Sequence, residues 1–67
     1  MYPSLTEKKV NVQETLEEFL ASLGNVYLYA FKRGVLGVLI NGERAFLLSK
    51  KLKLGDNVIV FPVVTGG

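Results

Sequence analysis

The chain has 67 residues, 8 Lys and Arg against 6 Asp and Glu, a net charge of +2, and neither Cys nor His. That excludes disulfides, thiolate nucleophiles, imidazole bases and the usual zinc sites together, and the charge is too balanced to point to nucleic acid. One domain of this size buries only roughly 60% of its unfolded surface, so the 49% of hydrophobic residues must supply the stability.

Taken in chain order, Lys8-Lys9-Val10-Asn11-Val12 alternates polar and apolar residues and predicts a half-buried strand. Thr15-Leu16-Glu17-Glu18 matches a capping box, in which the Thr and Glu side chains satisfy each other's backbone amides. Leu16, Phe19, Leu20 and Leu23 follow on one helical face, and Gly24 supplies a stop. A helix is predicted near residues 15–23. Val26 to Phe31 is aromatic and β-branched and predicts a strand, with Lys32-Arg33-Gly34 as a turn. Val35 to Ile40 is a nearly continuous apolar run, suited to the middle of a sheet. Asn41-Gly42 is a strong hairpin signal, and Arg44 to Leu48 would return from it. Gly55-Asp56 predicts another turn, and Val58 to Phe61 the final strand, stopped by Pro62. One helix with several strands predicts an α+β sheet with the helix on one face. Residues 63–67 are expected to form a flexible tail on this single domain.

Few residues could carry chemistry. Ser4, Ser22 and Ser49 lack any His or Cys to activate them. Gly34-Val35-Leu36-Gly37 lacks the Lys-Ser or Lys-Thr of a phosphate loop. The basic run Lys50-Lys51-Leu52-Lys53 reads as a solvated loop or strand end, with a weak patch for an acidic partner as the alternative. No apolar stretch approaches the roughly 18 residues of a membrane span, and Met1-Tyr2-Pro3-Ser4 carries no signal-peptide pattern. The pair Gly66-Gly67 has a physical use: without Cβ atoms it can enter a narrow channel and present an unhindered carboxylate for adenylylation by another enzyme. Five extended residues reach roughly 16 Å. A frayed end is the competing reading.

The last third of the chain tips the balance toward the first. Asn41-Gly42-Glu43, followed by Leu52-Lys53-Leu54-Gly55-Asp56-Asn57-Val58 and Phe61-Pro62-Val63-Val64-Thr65-Gly66-Gly67, resembles the closing segment of the MoaD/ThiS family of ubiquitin-like sulfur carriers. Phe61-Pro62 and Thr65 bring it nearest to the molybdopterin synthase small subunit, while Val63 stands where the family has a second proline.

The resemblance implies a β-grasp fold, a mixed sheet with one helix, and no catalysis of its own. It implies an E1-like enzyme, using ATP and magnesium, that adenylylates Gly67 before sulfur replaces the carboxylate as a thiocarboxylate. No cofactor would be bound by the carrier. Thr65, Gly66 and Gly67 would be the threading tail. Phe61, Pro62, Val63 and Val64 would meet partners, among them a molybdopterin synthase large subunit or another sulfur acceptor, in the cytoplasm. A carrier for thiamine or another product, a protein modifier joined through Gly67, and an interaction domain with an idle tail are the alternatives.

One departure concerns the start. The family has a strand before the Val10 strand, in mid-sheet, and here only Met1 to Glu7 is available, with Pro3 inside it. Either Tyr2 to Leu5 forms a shortened strand, or the sheet has an unfilled place that invites a homodimer through the N-terminal strand region.

Overall fold

A computed structural model describes residues 6–64. Met1–Leu5 and Thr65–Gly67 lie outside the described residues, and the expected Tyr2–Leu5 strand and diglycine pair lie there with them.

The elements are β1 (Thr6–Lys9), β2 (Glu14–Thr15), α1 (Leu16–Leu23), α2 (Asn25–Lys32), β3 (Leu36–Ile40), β4 (Glu43–Ala45), β5 (Lys51–Leu52) and β6 (Asn57–Pro62). Four strands form a sheet in the order β1-β6-β3-β4, and β2 pairs with β5 separately. Every described pairing is antiparallel. This is an α+β fold of the β-grasp, ubiquitin-like kind.

The core lies on one face of the sheet. Leu36, Val38 and Ile40 of β3 alternate with Gly37 and Leu39, and Val38 and Ile40 sit opposite Val60 and Val58 of β6. These side chains meet Leu16, Phe19 and Leu20 of α1, together with Val10, Ala45 and Leu52. Leu16, Leu20, Val38, Leu52 and Val58 are 0% exposed. They do for this short chain what disulfides or a metal do for others of its size.

The capping box forms as the spacing requires. Glu18 N–H donates to Thr15 Oγ1 at 3.2 Å, and Thr15 N–H donates to Glu18 Oε1 at 2.9 Å. Glu17 and Glu18 also place negative charge in the first turn, where the helix dipole favours it.

Three expectations are corrected. Val26–Phe31 is not a strand but most of α2, so the sheet carries two helices rather than one. Strand alternation would set Tyr27, Tyr29 and Phe31 on one side. Instead Tyr27, Leu28, Ala30 and Phe31 pack against the core while Val26 and Tyr29 stand exposed, which is helical spacing. Packing of that stripe outweighs the β-propensity of its residues. Gly34 does take a positive φ, 81°, but it ends a helix and not a hairpin. Val35 N–H reaches Ala30 O, and Gly34 N–H reaches Phe31 O, the paired bonds of a Schellman cap.

The second correction concerns the N-terminal strand. It runs over Thr6–Lys9, not Lys8–Val12, and lies directly beside β6, with Thr6 opposite Val60 and Lys9 opposite Asn57. The unfilled place is therefore absent along Asn57–Val60. Val10 is buried just beyond β1 and exchanges backbone bonds with the Gly55-Asp56 turn: Val10 N–H to Asp56 O at 2.9 Å and Gly55 N–H to Val10 O at 2.8 Å. The hairpin strand after Asn41-Gly42 is Glu43–Ala45, shorter than the expected Arg44–Leu48.

Candidate functional site: the open face and the exit of the last strand

β6 delivers the end of the chain, so its side chains decide what surrounds the exit. Val58 and Val60 turn to the core; Ile59 and Phe61 turn to the opposite face. Phe61 is half-buried and lies outside the core cluster. It pairs with Gly37 of β3, and its ring covers the place where a Cβ on Gly37 would stand. Gly37 is buried for this reason, although neither described helix packs on that face.

Arg44 projects from β4 onto the same face, opposite Leu39. Its guanidinium carbon is 5.2 Å from the centre of the Phe61 ring and 5.1 Å from that of Phe46. Both distances are within cation–π range. Leu39 and Ile59, both half-buried, sit opposite each other in the next row. On the β6-β3-β4 part of the open face, Leu39, Ile59 and the two rings thus form an apolar patch with Arg44 between the rings, while Glu7 and Lys9 of β1 border it. Phe46 is 72% exposed.

The ladder continues past the proline. Pro62 sits opposite Leu36 and offers no N–H, but Val63 N–H donates to Val35 O at 3.0 Å. Val64 is 86% exposed. Of the expected partner-binding residues, Phe61 therefore belongs to the open face, Pro62 and Val63 to the end of the ladder, and Val64 to the exit. Thr65, Gly66 and Gly67 lie outside the described residues. Sequence reasoning missed Gly37, Arg44 and Phe46. The signal for Gly37 was a glycine inside an apolar strand, which marks a close approach by another group.

The other end of the sheet is fixed by polar contacts. Asn41, at φ 52°, donates through Nδ2 to Asp56 Oδ1 at 3.0 Å and accepts from Asn57 N–H at 2.9 Å. Lys53 N–H donates to Asp56 Oδ2 at 2.8 Å. That backbone donor first, then the Asn41 amide, holds the Asp56 carboxyl below its ordinary value. These contacts staple the β3–β4 hairpin to the turn before β6. Among the described residues, no three acidic side chains converge as a metal site. Neither helix is long and apolar enough to cross a membrane.

The fold is thus a ubiquitin-like domain whose last described strand runs out beside an apolar part of the open face. The ThiS family pattern matches residues 4–67, and the chain belongs to that family. Members are small sulfur carrier proteins and not catalysts, and membership implies an activating enzyme and a sulfur acceptor. No curated protein and no solved structure matches the chain.

Proposed function

We propose that the chain carries sulfur as a thiocarboxylate on Gly67 and delivers it in molybdopterin synthesis. The observation that supports the carrier part of this reading is the family match running through the diglycine to residue 67. The Phe61-Pro62 and Thr65 signature favours the molybdopterin branch over thiamine.

In this reading an E1-like enzyme seats Phe61, Pro62, Val63 and Val64, and Thr65-Gly66-Gly67 threads into its active site. Beyond Val63 four residues remain, with a maximum reach of roughly 14 Å. One carboxylate oxygen of Gly67 attacks the α-phosphate of magnesium-bound ATP, giving an acyl-adenylate and releasing pyrophosphate. A hydrosulfide equivalent then attacks the carbonyl carbon, forming the C–S bond as the C–O bond to AMP breaks, and leaves a thiocarboxylate. The large subunit of molybdopterin synthase would receive the same tail. All of these steps belong to the cytoplasm, and the carrier's own residues bind, orient and present without holding a cofactor.

The test incubates the chain with the activating enzyme, ATP, magnesium and a sulfur donor and reads intact mass. A gain of one oxygen-to-sulfur exchange is expected, lost on deletion of Gly66-Gly67 with the fold kept. Transfer of that sulfur to a thiamine precursor and not to the pterin would reassign the branch. Covalent ladders on lysines of other proteins would replace the carrier reading with that of a modifier.

A further inference from the structure

The proposed handling of the tail does not use the backbone edge of β4 or the basic run after it. β4 pairs only with β3 among the described residues. A two-residue hairpin loop closes on a hydrogen-bonded pair. Ile40 and Glu43 are that pair, so Arg44 directs its backbone N–H and C=O away from β3. An unpaired edge of this kind is a template for one more strand.

Beside that edge lies an open groove of about 550 Å³. Ala45, Phe46 and Leu47 give it apolar lining, and Leu47 is 69% exposed. Arg44, Lys50, Lys51 and Lys53 give it four cations, against the two carboxylates Glu43 and Asp56. Asp56 is already engaged by Lys53 N–H and by Asn41. The far wall is held from behind. Leu16 N–H donates to Lys50 O at 2.8 Å, and Glu17 N–H to Leu48 O at 3.0 Å. The α1 N-terminus therefore fixes the wall before anything binds.

We infer that this groove takes an extended acidic segment of a partner protein, which adds to the sheet as a strand beside β4. Main-chain bonds to Arg44 would set its register. Alternate side chains would fall on the apolar lining and toward the lysines. Charge complementarity chooses the partner's sign. A second copy does not fit the edge: β4 on β4 brings Arg44 against Arg44, and like charges across a pair repel. Among the described residues the other edge of the four-stranded sheet is β1, where Lys8 and Lys9 outnumber Glu7 and set the same sign against Arg44.

The probe is a synthetic octapeptide alternating Asp and Leu, titrated into the isotope-labelled chain. The expected result is a shift of the Arg44, Phe46 and Lys50–Lys53 amides, with Arg44 N–H exchange slowed on binding. K50E/K51E should weaken binding by at least about tenfold. K8E/K9E, which changes net charge equally on exposed residues elsewhere, should leave it within about twofold. Amide dispersion in both variants shows that the fold is kept. Equal loss in the two variants, or no slowing at Arg44, overturns the proposal. So does tighter binding of a peptide copying Phe61–Gly67, since that makes the occupant a second copy's tail.

Discussion

The far end of the Phe61 ring lies over Gly37, so a strand position on the open side of the sheet is buried by an aromatic ring and not by a helix. Any Cβ at residue 37 collides with that ring. The ring's far end can swing aside, so Gly37→Ala is expected to displace Phe61 without unfolding the chain. The cost should be about 1 kcal/mol, at the low end for overpacking because the site opens to solvent. The check is the ring-current shift of the residue 37 Hα, which should be lost in both Gly37→Ala and Phe61→Leu.

Arg44 bridges Phe46 and Phe61 at 5.1 and 5.2 Å. It is exposed, so each contact contributes roughly 0.5–1 kcal/mol at most. Arg44→Gln should lower stability by about 1 kcal/mol. A double-mutant cycle with Phe61→Leu in urea should return a coupling of about 0.5 kcal/mol. Additive effects would show that the rings and the cation are neighbours without energetic coupling.

Where local chemistry dictated structure, the sequence was legible. The Thr15–Glu18 box, the Asn41-Gly42 hairpin and the Gly55-Asp56 turn each rest on a residue type that satisfies a specific backbone need. α2 was not legible as a helix, because Val26, Tyr27, Tyr29 and Phe31 favour strands when taken singly. Only the contacts of Tyr27, Leu28 and Phe31 with a core built from distant residues show the period. The two-residue pairing of β2 with β5 was equally hidden, since it joins Glu14-Thr15 to Lys51-Leu52 across the fold. At the site, Phe61 was readable as an apolar residue before the exit. Its seat on Gly37 and its contact with Arg44 depend on strand register, which a single sequence does not specify.

Asp56 sets a pH dependence. Its folded pKa is lowered, chiefly by the Lys53 N–H. A lowered folded pKa contributes stability that is fully present above the unfolded value, about 3.9 for Asp. That contribution is lost as pH falls through the lower folded value. Between pH 7 and 5 the group should contribute no slope; below about pH 4 stability should fall. Asp56→Asn should be less stable at neutral pH and flatter in acid, as read by urea midpoints across the range.

Removing the capping box tests how far α1 depends on its first turn. Thr15→Ala deletes the hydroxyl that accepts from Glu18 N–H, and should cost about 1 kcal/mol. For a domain this small that is a visible fraction of total stability. Thr15→Ser keeps the acceptor and should recover most of the loss. Equal loss in both would assign the effect to the Thr15–Lys51 pairing of β2 instead.

Leu20 and Phe61 separate folding from docking. Leu20 is fully buried against β3 and β6, so Leu20→Ala leaves a cavity and should cost 2–5 kcal/mol, roughly. That approaches the whole stability of a small domain, so activation by the E1-like enzyme should fall because folded carrier is scarce. Phe61 is half-buried on the open face, and its truncation to Ala should cost only about 1 kcal/mol. If Phe61 meets the activating enzyme, Phe61→Ala should still cut adenylylation at least about tenfold, as losses of a central aromatic anchor do. Circular dichroism and amide dispersion would report a folded chain throughout. The two losses also differ in response. Raising the activating enzyme's concentration should restore Phe61→Ala, because weak docking yields to mass action. It should restore Leu20→Ala far less, where the missing quantity is folded protein. Normal adenylylation of a folded Phe61→Ala chain would remove this residue from the docking surface and leave it only the role of covering Gly37.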